Sequence, residues 1–107
     1  MKIELNDGKI ATTAGMLRFV HDRVASSLHR AASRVERVRV NLRDENGAKK
    51  GPADKVCVME ARVRGAARGV VVARERHSDF YSAIQGAARR LSRALTRALE
   101  RAGPRHA

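Results

Sequence analysis

The spacing of the apolar residues changes along the chain, and this change limits the possible folds more than any other feature. Between residues 13 and 31 the apolar side chains recur at steps of three and four, as they do on one face of a helix. From residue 35 to residue 76 the step becomes two, which is typical of half-buried strands. Beyond residue 78 the helical spacing returns. Strands flanked by helices predict a sheet that has helices on one face and water on the other.

The order of the elements follows from these changes of spacing and from the turn residues between them. A short alternating stretch at residues 2–6 adds a strand before the first helix. Three consecutive strands come later, joined by polar turns, and strands joined in this way pair antiparallel. The sequence therefore predicts an α+β fold with the order β-α-β-β-β-α, a two-layer sandwich in which two helices pack on one face of a four-stranded sheet.

Capping residues mark the ends of both predicted helices. The predicted N-caps are Thr12 or Thr13 for the first helix and Ser78 or Asp79 for the second. Gly103-Pro104 is expected to end the second helix, because neither residue continues a helix well. We therefore expect a single domain over residues 1–102 and a frayed tail at residues 103–107.

One apolar stripe on each helix and one face of each strand form the predicted core. The stripe of the first helix consists of Leu17, Val20, Val24, Leu28 and Ala31. That of the second helix consists of Phe80, Ile84, Ala87, Leu91, Leu95 and Ala98. The inward strand positions are Val38, Val40, Leu42, Cys57, Met59, Ala61, Val63, Val71 and Ala73. Aromatic residues make up only 3% of the chain, which favours a thin sandwich over a deep ligand pocket.

The charge balance points to a polyanionic partner. Twenty-three Lys and Arg against eleven Asp and Glu give a net charge of +12, whereas a small domain needs a magnitude of only about 2–8 to stay soluble. Arginine supplies eighteen of the cations, and guanidinium binds phosphate through two parallel hydrogen bonds. A GC-rich genome would also favour Arg over Lys, but it does not explain the net charge.

The arginines fall on two predicted surfaces. On the second helix Arg89, Arg93, Arg97 and Arg101 are four residues apart, and Arg90 flanks them. Like charges at this spacing destabilise a helix by a few tenths of a kcal/mol per pair, a cost that phosphates relieve. The outward strand positions carry Arg37, Arg39, Arg62, Arg64, Arg74 and Arg76. These eleven residues are the predicted RNA-binding set, although a solvated helix face is the simpler alternative for the helical row.

No base-reading motif accompanies these arginines. The sequence lacks an RNP aromatic pair, a KH-type GxxG loop and a helix-turn-helix signature. Two basic surfaces without such a motif favour recognition of folded RNA through its shape and its phosphates.

The residues that could carry catalysis or bind metal do not converge. His21, His29, His77 and His106 are scattered along the chain. The acidic loop at residues 44–54 lacks the EF-hand spacing and is predicted to be a solvated hairpin loop. Cys57 is expected to be inert core packing, and a single cysteine excludes both an internal disulfide and a cysteine-based zinc site. The sequence predicts no enzymatic activity, no cofactor and no small-molecule substrate.

The N-terminal residues and the overall hydropathy indicate where the protein works. No apolar run approaches the roughly 20 residues of a membrane span. Residues 1–5 include an acidic residue and no hydrophobic segment of the signal-peptide type. We therefore expect a cytoplasmic protein that has no membrane partner.

Four segments resemble the ribosome hibernation factors, a family that includes the hibernation-promoting factor and ribosome-associated inhibitor A. SDFYSAI at residues 78–84 and RLSRAL at residues 90–95 are similar to the family's D-x-Y-x-A-I…K-L-x-x-x-L helix. NLRDENG at residues 41–47 and DKVCVMEAR at residues 54–62 resemble a shorter branch of the family. The likeness covers residues 34–101 well and the first third of the chain weakly.

The resemblance implies a fold of the order β-α-β-β-β-α and a function on the small ribosomal subunit. Family members bind ribosomal RNA in the channel for mRNA and tRNA and block translation in resting or stressed cells. Arg90, Arg93 and Arg97 match positions on the last helix that carry rRNA contacts in the family. We expect this protein to be a monomer when it is off the ribosome.

Two other classes of function compete with this hypothesis. A protein-interaction module, or a general RNA-binding regulator that docks on an acidic partner, would carry the same excess of positive charge. A hydrolase or transferase would need an acid, a base or a nucleophile at one place, and the sequence offers none.

Overall fold

A computed structural model describes residues 1–8, 10–45, 53–65 and 69–101 of the chain. The elements in chain order are β1 (Lys2–Asn6), α1 (Ala14–Ser27), a 3₁₀ helix (His29–Arg34), β2 (Val35–Asp44), β3 (Lys55–Val63), β4 (Val70–His77) and α2 (Phe80–Arg101). The α+β fold class and the predicted order of strands and helices are confirmed. The predicted loop tip at residues 46–52, most of the connection before β4 and the predicted tail lie outside the described residues.

The four strands form one mixed sheet in the order β1-β2-β3-β4. β2, β3 and β4 pair antiparallel as hairpin neighbours, as the sequence predicts. β1 pairs parallel to β2, with Lys2 opposite Arg37, because α1 crosses over the sheet and returns the chain in the same direction. β4 is therefore an edge strand, and β1 forms the other edge.

The strand register brings the apolar residues together on one face. Val40 lies opposite Met59, which in turn lies opposite Ala73, and all three are buried. The predicted inward positions of the strands are confirmed, including Val71 and Ala73 on β4. Because side chains alternate along a strand, the residues between these inward positions lie on the outer face.

α2 follows β4 and packs across the inner face of β3 and β4. Its buried residues are Ala83, Ile84, Ala87, Ala88, Leu91 and Leu95. Phe80 and Ala98, the two ends of the predicted stripe, are half-buried. Burial of a leucine such as Leu91 stabilises the fold by about 1.5–3 kcal/mol, so this stripe fixes which side of α2 faces the sheet.

α1 begins where the sequence predicts, but its buried line starts at a different residue. Thr13 is its N-cap and accepts a hydrogen bond from the Met16 backbone N–H at 3.0 Å, as predicted. The buried line begins at Met16, which is 8% exposed, whereas Leu17 is 41% exposed, so the predicted burial of Leu17 is wrong. Met16 shares one face with Val20 and Val24 at steps of four, and Leu17 lies beside that face.

The C-terminal end of α1 also falls short of the predicted one. The α-helix ends at Ser27, and the chain tightens into the 3₁₀ helix at His29–Arg34 before β2 begins. Leu28, between the two helices, is buried as predicted, while Ala31 is half-buried. A 3₁₀ helix rises by about 2.0 Å per residue against about 1.5 Å in an α-helix, so this segment carries the chain further towards the sheet than the same number of α-helical residues would.

Asp79 caps α2. Its carboxylate accepts hydrogen bonds from the Ser82 backbone N–H at 2.8 Å and from the Ser82 hydroxyl at 2.9 Å. The backbone bond from Ser82 is the main reason why the pKa of Asp79 lies below its ordinary value of 3.8. Because the charged form is favoured in the folded state, the cap stabilises the fold at a pH above that ordinary value and is lost as the pH falls through the lower folded value.

We expect an Asp79→Ala variant to be less stable than the wild type at neutral pH and to approach wild-type stability as the pH falls below 3.8. The measurement is the urea unfolding midpoint of both proteins as a function of pH. Ser78→Ala is the matched control, since it removes a neighbouring hydroxyl and leaves the carboxylate in place. A difference between Asp79→Ala and the wild type that stays constant with pH would contradict this assignment.

Candidate nucleic-acid interface

A row of unpaired arginines follows one side of α2. Arg89, Arg93, Arg97 and Arg101 are all exposed. Four residues of helix advance by about 6 Å and turn by about 40°, so the four guanidiniums form a shallow spiral. Within the described residues none of the four forms an ion pair, and Glu100 is the one acidic residue of α2. The side chains that the sequence predicts as a row are thus brought together, and their charges are not neutralised.

The outer face of the sheet carries the second basic surface. Its basic residues are Lys2, Arg37, Arg39, Arg43, Arg62, Arg74 and Arg76. Its acidic residues are Glu4 and Glu60. The predicted outward orientation is confirmed for Arg37, Arg39 and Arg62 and for Arg74 and Arg76. Positive charge predominates on this face.

Several carboxylates lie among these cations. Glu4 lies 3.9 Å from Arg37 and 3.7 Å from Arg39. Glu45 lies 3.7 Å from Arg74 and closer still to Arg76. The ion pairs of Glu4, whose side chain is 33% exposed, contribute about 0–1 kcal/mol to stability, so a phosphate can compete for Arg37 and Arg39.

The two basic surfaces lie on opposite sides of the edge strand β4. β4 is an edge strand whose outer face carries Arg74 and Arg76, and α2 packs on its inner face. Arg90 of α2 contacts β4 directly, and Arg93 and Arg97 lie within about 60° of it around the helix. The helical row and the outer face therefore lie on either side of the same strand.

Arg64 lies elsewhere than the sequence predicts. β3 ends at Val63, so Arg64 falls in the following turn and not on the outer face of the sheet. Its guanidinium donates to the Ser33 carbonyl oxygen at 2.9 Å and lies 3.4 Å from the Glu36 carboxylate. Its carbonyl oxygen accepts from the Arg34 guanidinium at 3.1 Å. The predicted outward strand position of Arg64 is wrong because the strand is shorter than the alternation suggests.

Arg90 also forms an ion pair within the protein. Its Nε donates to the Glu75 carboxylate, which faces α2 from the inner side of β4. The other carboxylate oxygen lies 2.8 Å from His77 Nε2. His77 is therefore half-buried beside a carboxylate rather than free on the surface. The spacing of residues along the sequence does not reveal this contact. It joins a strand to a helix, and periodicity describes each element separately.

An aromatic contact joins the two helices. Phe19 of α1 and Tyr81 of α2 pack edge to face with ring centroids 4.9 Å apart. Arg23 lies over the Phe19 ring at 5.8 Å. The sequence analysis does not identify this group, although these rings are two of only three aromatic side chains in the chain. An aromatic ring beside a guanidinium is a common platform for an unstacked base.

The acidic residues at the base of the predicted loop hold a lysine. Lys55 Nζ lies 3.0 Å from Asp54 and 3.2 Å from Asp44. The hydrogen bond to Asp54 is the main cause of a raised Lys55 pKa. Across the described part of the chain no three His, Cys, Asp or Glu side chains form a group that could hold a metal ion.

Cys57 is buried in the core on the inner face of β3, as the sequence predicts. Burial raises the pKa of its thiol to about 12. A thiol with such a pKa is almost entirely protonated near neutral pH and is a poor nucleophile.

Among the described helices, none has the length and hydropathy that a membrane span requires.

Comparisons with known proteins identify a matching family model and solved structures of similar fold. The family model described as sigma 54 modulation protein / S30EA ribosomal protein matches residues 3–102. A ribosomal subunit interface protein from Coxiella burnetii has a similar structure, with a TM-score of 0.71 and 11% identity over 91% of this chain and 96% of that chain. The N-terminal domain of Thermus thermophilus Protein Y has a TM-score of 0.70 and 23% identity over 91% of this chain and 98% of its own. No curated protein sequence matches this chain.

We expect the Cys57 thiol to resist alkylation in the folded protein and to react rapidly once the protein is unfolded in urea. Mass spectrometry after a timed exposure to iodoacetamide at mildly alkaline pH gives the modified fraction directly, because the chain contains one cysteine. Free cysteine in the same tube serves as the control for reagent activity. Equal labelling of the folded and unfolded protein would contradict the buried position.

Proposed function

Because the chain belongs to the sigma 54 modulation protein / S30EA ribosomal protein family, we propose that it is a non-enzymatic regulator that associates with the ribosome. It binds small-subunit rRNA in the channel for mRNA and tRNA and so prevents translation in resting or stressed cells. This family contains the hibernation factors that the sequence resembles, and a protein with a similar fold is described as a ribosomal subunit interface protein.

The unpaired row on α2 is the observation that carries this proposal. A folded protein gains nothing from four like charges at adjacent helical positions, since each such pair is mildly destabilising. Phosphate groups relieve this repulsion, and each arginine can hold a phosphate through two hydrogen bonds. A nucleic acid whose phosphates follow the row would neutralise it.

The second basic surface favours a cavity over a single duplex as the binding site. The row on α2 and the outer face of the sheet lie on either side of β4. One straight helix of RNA cannot contact both, whereas phosphates that line a cleft can surround the edge of the sheet. A channel of the ribosome is such a cleft, and recognition of this kind depends on shape and charge rather than on base sequence.

The same arrangement explains inhibition without catalysis. A protein that fills the channel for mRNA and tRNA competes with both of them by occupancy, and no bond needs to be made or broken. The proposed working form is therefore a cytoplasmic monomer that binds without a cofactor.

An acidic protein partner is the alternative from another class. The excess positive charge suits it as well, but carboxylates on a protein surface are seldom spaced in a continuous row like phosphates. Binding that survives nuclease treatment of the ribosome fraction would favour this alternative, and binding that disappears with the RNA would favour the proposal.

We expect an Arg93→Glu/Arg97→Glu variant to be lost from the ribosome pellet in a co-sedimentation assay, because two phosphate contacts become repulsive. Wild-type co-sedimentation should weaken steeply with added salt, since each phosphate contact releases counterions and contributes about 0.7–0.9 to the slope of log K against log salt. Circular dichroism verifies that the variant is folded.

Arg18→Glu/Arg30→Glu is the matched control. Both arginines are exposed on the α1 side of the molecule, and the variant changes the net charge by the same amount. It should remain in the pellet if position rather than total charge determines binding. Equal loss of both variants, or retention of both, would contradict the proposed role of α2.

A further inference from the structure

Glu75 and Arg90 meet between β4 and α2, and their contact divides the arginines of α2 into two groups. We infer, on the basis of the proposed function, that Glu75 is a positioning residue that withholds Arg90 from RNA. The residues of α2 that contact phosphate are then Arg89, Arg93, Arg97 and Arg101.

The surroundings of Glu75 explain why the contact is retained. Its side chain is only 18% exposed, and it faces α2 from the strand position opposite Cys57. A carboxylate that is largely removed from water needs a cation or several hydrogen-bond donors. Arg90 and His77 are the partners that contact it. Withdrawal of Arg90 would leave the Glu75 charge with the His77 ring alone.

Gly86 gives Glu75 the room that this position requires. A Cβ atom at residue 86 would lie 2.7 Å from Glu75 Cγ and 2.8 Å from its Oε1. Real Cβ atoms are essentially never found so close to another atom, so any larger residue would push Glu75 aside. Glycine in the interior of a helix is normally destabilising. Its presence in α2 is explained by the carboxylate that lies against it.

The contact has an electrostatic consequence for RNA. The Arg90 side chain is 60% exposed, so a phosphate can approach it from solvent. That phosphate would also approach the Glu75 carboxylate, which repels it through its negative charge and already accepts the Nε–H of Arg90. The Arg90–Glu75 pair is neutral overall, so it adds no net positive charge to the row beside it.

Salt-dependent binding to purified small ribosomal subunits tests this division. The variants are Arg90→Gln, Arg93→Gln, Glu75→Gln and the double variant Glu75→Gln/Arg90→Gln. Arg93→Gln is the matched control for Arg90→Gln, because the same substitution is made three residues further along the same helix. For each protein, the slope of the logarithm of the association constant K against the logarithm of the salt concentration reports the number of phosphate contacts. If Glu75 had a purely structural role, its replacement would not increase the magnitude of this slope.

We expect Arg93→Gln to reduce the magnitude of the slope by about 1 and Arg90→Gln to leave it unchanged. Glu75→Gln should increase it by about 1, because Arg90 becomes free to bind phosphate. The double variant should return to the wild-type slope. An Arg90→Gln variant that loses as much slope as Arg93→Gln, or a Glu75→Gln variant with the wild-type slope, would overturn the inference.

Failure of the proposed function gives a different pattern. If the wild type shows no salt-dependent binding to the subunits, the ribosomal proposal fails. The Glu75–Arg90 contact is then tested by the stability of the variants. Glu75→Gln and Arg90→Gln should each lower the urea unfolding midpoint, and the double variant should lower it no further than one of them. Additive shifts would show that the two residues are independent and would overturn the inference in this case too.

Discussion

Burial of the apolar side of α2 against β3 and β4 is the constraint on which the rest of the molecule depends. Because α1 and α2 both pack on the inner face, the outer face of the sheet is left uncovered by helices and carries arginines such as Arg37, Arg39 and Arg74. The same packing fixes the rotation of α2, so that Leu91 points into the core and Arg93 and Arg97 lie on its exposed side. The two basic surfaces thus follow from where the apolar residues of the helices and strands are buried.

Periodicity predicts most of this arrangement, because it reports which side of an element is buried. The inward positions of β2, β3 and β4 and the stripe of α2 follow directly from it. It fails where an element is shorter than its pattern, as at Arg64 beyond the end of β3. It also fails where two faces compete, as at Met16 and Leu17 on α1. Contacts between elements, such as Glu75 with Arg90, have no period and cannot be predicted from spacing.

The few carboxylates are placed where they organise the cations. Asp44 and Asp54 hold Lys55 at the base of a hairpin, and Asp79 begins α2. Glu4 lies among basic residues at the edge strand β1. In a chain with a net charge of +12 these contacts cannot neutralise the surface. They reduce repulsion where the fold needs it and leave the outer side of α2 positively charged.

The position of α2 in the chain order affects when the protein becomes complete during synthesis. A ribosome that translates this sequence makes all four strands before residues 80–101. Until those residues emerge, the inner face over β3 and β4 lacks its cover, so the second layer closes only late in synthesis. The arginine row is part of that last element. A nascent chain therefore acquires its stable core and its positively charged helix at the same moment, and it lacks this surface while most of its length is being made.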